Sequence, residues 1–184
     1  MQLDVQDFLR LAEQTGSIVF WDTESTGLDG SYNSMLVESI KPYNEPPLTF
    51  QVEQLGNDRK VLREAKEVLE GALAWVTYYG RLHDVPLMNT RLLKWGLEPL
   101  KPHLHLDMYW QVRKLKTGRR SQAHVLEFLN TSEQKMSLSP SVWSEMGMDF
   151  EKNIKTLVKR CESDTAGLEA LYKRLKGLVQ DLKK

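Results

Sequence analysis

Apolar positions along the chain recur at two spacings, one helical and one strand-like. Leu3, Phe8, Leu9 and Leu11 follow helical spacing and Gly16 closes that segment, so residues 3–13 are expected to form a short amphipathic helix. The run SIVFW at 17–21 is β-branched and aromatic at strand length. SMLVESIKP and PLTFQVEQ read as two further strands. Between them Tyr43, Asn44, Glu45 and the Pro46–Pro47 pair supply turn chemistry. Three strands with short connections predict an antiparallel meander. A helix is expected over 58–72, with Val61, Leu62, Ala65, Val68 and Leu69 on one face and Asn57 or Asp58 as its N-cap. LAWVTYYG reads as a strand, VPLMNTRLLKWG as a helix with Pro86 near its start and Gly96 after its end, and HLHLD as a short strand. From Met108 onward the pattern is helical, with breaks near 117–121 and 137–141. After the first helix the order is β-β-β-α-β-α-β-α-α, an α/β arrangement with a mixed sheet and helices packed on it.

Composition narrows the picture. A chain of 184 residues, 41% hydrophobic and 27% charged, is sized and balanced for one globular domain, and we expect residues 1–184 to form it. Net formal charge is zero, so a nucleic-acid or membrane partner would need a local patch. Cys161 is the single cysteine, which excludes an internal disulfide and fits a reducing compartment. MQLDVQDFLRLAEQTG carries acids and no long apolar run, unlike a signal peptide. No segment approaches the roughly 18 apolar residues of a membrane span. A cytoplasmic protein without a membrane partner is expected.

The carboxylates carry the candidate chemistry. Asp22 and Glu24 end the first strand two residues apart, so they project from one face. Two adjacent like charges raise each other's pKa, and hard Mg²⁺ or Mn²⁺ removes that penalty. The pair could also be two solvated acids at a strand end. Asp84 and Asp107 each precede a helix and could serve as N-caps. Asp164 stands on the apolar stripe of the last helix, which also holds Leu157, Cys161, Leu168 and Leu171. A buried carboxylate there requires a metal or an ion pair, and Arg160 lies one turn earlier. His103 and His105 alternate in their strand and could form a ligand pair or be structural.

Taken together these residues resemble the DEDD (DnaQ-like) 3′–5′ exonuclease superfamily, of ribonuclease-H-like fold. FWDTESTGLDG, VTYYGRLHDVPLMNTRL, HLHLDMYWQVRK, SQAHVLEFLN and VKRCESDTAGLEALYKRL carry the resemblance, which runs from about Ser17 to Leu178. It implies a mixed sheet, its first three strands antiparallel and the rest parallel, flanked by helices. It implies Asp22, Glu24, Asp84 and Asp164 as catalytic ligands of two Mg²⁺ or Mn²⁺ ions. Two such ions, about 3.5–4 Å apart, activate water and stabilise the leaving oxygen. It also implies that Thr26 and Gly27 contact the terminal nucleotide and that Leu28 packs on its base. The family commonly has Tyr or His four or five residues before the last acid; here Arg160 and Lys159 stand there. Arg160 suits a phosphate or could neutralise Asp164, while His83, His105 or His124 could supply a base.

VRKLKTGRRSQAH holds Arg113, Lys114, Lys116, Arg119 and Arg120 without an acid, a local basic patch able to track a phosphate backbone. Trp75, Trp95, Trp110 and Trp143 are candidate stacking rings or core residues. The expected function is therefore 3′–5′ exonuclease action on DNA, single-stranded first, with RNA as a further substrate. The competing expectation is a nuclease-fold module that binds nucleic acid without cleaving it. An aspartyl-phosphate phosphatase fits less well, because that class would want Asp at position 24.

Overall fold

The computed structural model describes residues 4–133, 135–139 and 141–180; of Trp143 and Ser144 only the backbone is described. Helix α1 (Val5–Gln14) leads into strand β1 (Ile18–Ser25). Strands β2 (Met35–Pro42) and β3 (Leu48–Gln51) follow, each antiparallel to its predecessor, so the meander read from the turn residues is present. Asn44 takes a positive φ of 61° in the β2–β3 turn, a conformation asparagine tolerates better than most residues. Helix α2 (Arg59–Gly71), strand β4 (Ala74–Thr77), helix α3 (Asp84–Lys94) and strand β5 (Leu104–Asp107) come next. β4 runs parallel to β1 and β5 parallel to β4, giving the sheet order β3-β2-β1-β4-β5. Three short helices, α4 (Met108–Val112), α5 (Gln122–Phe128) and α6 (Ser141–Ser144), precede the 26-residue helix α7 (Phe150–Leu175).

Helices cover both faces of the sheet. On one face Leu62, Ala65 and Leu69 of α2 and Leu87, Met88 and Leu92 of α3 pack against Val19 and Trp21 of β1. On the other, Leu168, Leu171 and Tyr172 of α7 pack with Leu9 of α1, Val125 and Leu126 of α5, and Ile18 and Phe20 of β1. Each buried leucine of these clusters contributes about 1.5–3 kcal/mol. The alternation Ile18/Phe20 against Val19/Trp21 positions the chemistry. Continued past Trp21, it places Asp22 and Glu24 on the α7 side and Thr23 on the α2–α3 side.

Polar contacts fix α7 along the meander. Thr49 donates to Glu162 at 2.8 Å, the hydroxyls of Ser39 and Thr165 lie 3.1 Å apart, and the Asn44 amide donates to Glu169 at 2.8 Å. Glu162, Thr165 and Glu169 are three and four residues apart, so they share one helix face.

One N-cap expectation is corrected. Asp58 holds the N-cap position of α2 but makes no side-chain cap bond. Its carboxylate instead accepts from Arg91 Nε at 2.7 Å and Nη2 at 2.9 Å, Trp95 Nε1 at 2.6 Å and the Met35 amide at 2.8 Å. A buried guanidinium and a buried carboxylate must neutralise each other, and that need outweighs a cap. Arg91 also donates to the Gly30 carbonyl at 3.1 Å, tying the loop after β1 to α3.

Candidate metal centre

The C-terminal ends of β1 and β4 and the middle of α7 converge on one acidic cluster. Carboxylate oxygens of Asp22, Glu24 and Asp164 lie within 4.8 Å of one another. Glu24 and Asp164 are buried; Asp22 keeps partial solvent access. Asp164 is 2% exposed, as its place on the apolar stripe predicts, and Cys161 beside it donates towards the Asp22 carbonyl at 3.3 Å.

Asp84 flanks this trio rather than joining it. It is the first residue of α3, with His83 at the N-cap position, so it is not the helix cap that its sequence position suggested. It is buried, hydrogen-bonds with the Thr23 hydroxyl, and feels the charge of Glu24. Gly80 makes room for it: a Cβ there would stand 2.8 Å from Asp84 Oδ2 and 2.5 Å from Thr77 Oγ1. Thr23 also donates to Glu38 at 2.9 Å, and Glu38 accepts from Trp21 Nε1 at 2.6 Å. Glu38 is fully buried on β2 and was not singled out from sequence, where one acid inside a strand pattern gives no signal.

Two cations sit on the trio. Arg160 Nε lies 2.7 Å from Glu24 Oε1 and 3.7 Å from Asp164 Oδ2. At both distances it is an ion pair, without an aligned N–H···O bond. Lys135 Nζ lies 2.5 Å from Asp164 Oδ2. The Arg160 pairing with Asp164 foreseen from helical spacing is thus the longer of its two, and Lys135 is the close partner. Lys135 comes from an irregular segment 29 positions before Asp164, so no periodicity announces it. Among the described residues no cation stands within ion-pair distance of Asp22 or Asp84.

Desolvation dominates the electrostatics. Burial pushes the Glu24 carboxyl up to about 7 against the pull of Arg160, and the Asp84 carboxyl up to about 7 against its backbone and Thr23 bonds. Burial and then the Asp164 charge raise Asp22 well above the carboxylate range, and burial raises Asp164 despite Lys135 and Arg160. Burial lifts Glu38 to about 8. These acids hold protons in the folded chain that the unfolded chain has lost by about pH 5, so stability falls as pH rises through their folded pKa values. In chelator, the melting temperature is expected to be highest near pH 5 and to drop towards pH 8–9. Added Mg²⁺ or Mn²⁺ is expected to restore it most at the alkaline end, because the ion binds the deprotonated acids. Thermal melts across that range check both halves.

The histidines serve elsewhere. The His103 ring stacks on Trp75 at 4.6 Å, and its Nε2 is 2.8 Å from the Ala72 carbonyl. His105 Nε2 is 2.8 Å from Thr77 Oγ1, and burial drops its pKa to about 3. Of the two readings left open, the structural one describes them: each ring has its own partner, with Trp75 packed against both. His83 is half-buried beside Asp84, its pKa lowered by desolvation. Asp107 is an N-cap as expected, accepting from the Tyr109 amide at 3.1 Å, and it also holds the Tyr79 and Arg81 amides.

The surroundings suit a chain-like ligand. In the loop after β1, Thr26 is exposed and its hydroxyl accepts from the Ser34 amide at 3.0 Å. A Cβ on Gly27 would fall 2.7 Å from the Asn33 side chain, so any other residue there would have to push that amide aside. Leu28 is 83% and Tyr32 89% exposed, two large side chains held out into solvent by the loop that follows β1. Tyr32 was missed, because a tyrosine in a turn pattern carries no spacing signal. Arg119 and Arg120 are exposed on the 113–121 segment, which is anchored where Tyr78, just after β4, donates its hydroxyl to the Arg120 carbonyl. A cavity of about 400 Å³ beside that segment is lined by Arg81, Leu82, Asp107, Trp110, Gln111 and Lys114. Of the candidate stacking rings, Trp110 is partly exposed with the Arg113 guanidinium 4.9 Å above it, while Trp75 is core. The Trp143 side chain lies outside the described residues. Among the described residues, no helix is long and apolar enough to cross a membrane.

Comparison with known proteins bears on the family and the fold. A sequence profile of the RNase_H superfamily matches residues 19–176. Among solved structures, the chain is similar to the family B DNA polymerase from the hyperthermophilic archaeon Pyrobaculum calidifontis, with TM-score 0.67 and 15% identity. That similarity covers 86% of this chain and 24% of the polymerase chain. Comparison with curated protein sequences finds no match.

Proposed function

The chain belongs to the ribonuclease H superfamily, and from that premise we propose a divalent-metal-dependent 3′–5′ exonuclease acting on DNA, single strands first. The observation that carries this reading is the convergence of Asp22, Glu24 and Asp164 within 4.8 Å, with buried Asp84 beside them. These groups fit a hard cation: every donor is a carboxylate oxygen, and Asp164 Oδ1 is buried without a hydrogen-bond partner. Mg²⁺ or Mn²⁺ is the ion such donors select. A bound divalent ion would polarise the phosphate and lower the pKa of a water.

The chain's own residues do the rest. Leu28 and Tyr32 offer apolar surface to the terminal base, and Thr26 and Gly27 bring backbone to its sugar. Arg160 is within reach of the scissile phosphate, and Arg119 and Arg120 attract the following phosphates. Water adds its oxygen to the phosphorus and the bond from phosphorus to the penultimate O3′ breaks. That oxygen takes one proton and becomes the new 3′ hydroxyl. A nucleoside 5′-monophosphate leaves, and the second proton goes to solvent.

A module that binds without cleaving has one observation in its favour: Arg160 and Lys135 already sit on the acids. Linear single- and double-stranded oligonucleotides, labelled at the 5′ end and titrated with Mn²⁺ at low salt, separate the readings. The exonuclease shortens them stepwise from the 3′ end, stops in chelator and leaves circular single-stranded DNA intact. Cutting of the circle would overturn the exonuclease reading. Retained binding without cleavage at any Mn²⁺ concentration would establish the module.

A further inference from the structure

We propose that the cavity of about 400 Å³ beside β5 holds one unpaired nucleotide, its base against Trp110 and Leu82 and its phosphate at Arg81 and Lys114. The inference rests on the nuclease reading above and adds a second place where a strand is gripped, away from the acids.

The sheet sets its position. Strands β1, β4 and β5 are parallel, so their carboxyl ends lie along one margin. Ligands of such sheets bind outside that margin. Asp22 and Glu24 stand at the end of β1, and Asp107 of the cavity ends β5, two strand spacings or about 10 Å away. The loop after β4 joins the two places. Gly80 packs on Asp84, and the next two residues, Arg81 and Leu82, line the cavity. Trp110 and Gln111 of α4 form another wall, and the basic 113–121 segment leaves from that helix.

The lining suits the two halves of a nucleotide. Cavities that bury small ligands run from about 300 to 1,000 Å³. Trp110 is 38% and Leu82 58% exposed, so a flat ring and an aliphatic side chain are available to a base. The Arg113 guanidinium stacks on the same ring and adds a positive charge. Gln111 is 6% exposed, and its Oε1 has no hydrogen-bond partner among the described residues. An unpaired base carries N–H donors on its pairing edge, which a base in a duplex has already used. Arg81 and Lys114 donate to the carbonyls of His105 and Leu178, which holds both cationic side chains at the cavity. Asp107 is also on the wall, but the amides of Tyr79, Arg81 and Tyr109 already claim its carboxylate. The anionic end of the ligand therefore belongs with the two cations.

The test uses the full chain in chelator, so that strands stay whole, and an oligothymidylate carrying one 2-aminopurine at successive positions from the 3′ end. Quenching of that fluorescent base is expected at one internal position, apart from any at the terminus. Trp110→Ala is expected to remove it and to weaken binding roughly tenfold. Leu82→Glu, at an exposed position, puts a carboxylate where the base lies and is expected to remove it without touching the core. 2-Aminopurine deoxyriboside 5′-monophosphate alone distinguishes the source: quenching that depends on Trp110 marks a site that also takes free nucleotides, and its absence marks one filled from a strand. Absence of internal quenching in the wild type would overturn the proposal whether or not the variants fold. Quenching unchanged in Leu82→Glu would overturn it as well. Stepwise 3′ shortening in the cleavage assay without this quenching would remove the cavity site and leave the exonuclease reading standing. No binding of any oligonucleotide would remove both.

Discussion

Asp22→Ala is expected to abolish metal-dependent cleavage, a loss of roughly 10⁴-fold, the scale seen when a central catalytic group is removed. Asp22 belongs to the close trio, and no cation lies within ion-pair distance of it among the described residues, so its carboxylate stays open to the ion. The fold should survive. The carboxylate is disfavoured in the folded chain, first by burial and then by the Asp164 charge, so its removal relieves repulsion. In chelator the variant should therefore melt no lower than the wild type at pH 8, and the stabilisation that Mn²⁺ gives the wild type should disappear. A variant that kept full activity would remove Asp22 from the chemistry. One that lost activity by unfolding would show the side chain to be structural.

The second large effect lies away from the acids. Arg91→Met is expected to destabilise the chain by about 3–5 kcal/mol, because it leaves Asp58 as an uncompensated buried charge. Asp58 is fully buried, and two of its four hydrogen bonds come from Arg91. The double change Asp58→Asn with Arg91→Met should recover much of the loss, since the orphaned charge is gone. Denaturant titration measures both. The same pair holds the loop after β1 at its middle and its far end, through the Gly30 carbonyl and the Met35 amide. In the recovered double variant that loop, with Leu28 and Tyr32, is expected to bind oligonucleotide more weakly. A single-variant loss below about 1 kcal/mol would mean that Asp58 takes up a proton or reaches water instead.

Legibility from sequence followed local physics. The five strands and the long helices were readable because each buries a face, and burial imposes a period on the chain. SIVFW announced β1, and the stripe from Leu157 to Leu171 announced both α7 and the burial of Asp164. The pairing of Asp22 with Glu24 followed from a period of two. Failures came where a distant partner decides. Asp58 looked like a cap because its chain neighbours suit one, but Arg91, 33 residues later, claims its carboxylate. Alternation left His103 and His105 open between a ligand pair and a structural role, and only the packing of both rings on Trp75 decides it. Lys135 was invisible because an irregular segment has no period, and only the folded chain shows that it reaches Asp164.

The way α7 is fastened governs where changes in length can occur. A helix turns by about 100° for each residue. One residue gained or lost between Asp164 and Glu169 would swing either the acid or the Asn44 contact to another side of the rod. The same indel in the 129–139 stretch would alter the reach of Lys135 and the packing of Leu129 and Leu138, without turning the rod. Natural or engineered length variants should thus accumulate ahead of this rod and spare its centre, where azimuth and chemistry cannot be separated.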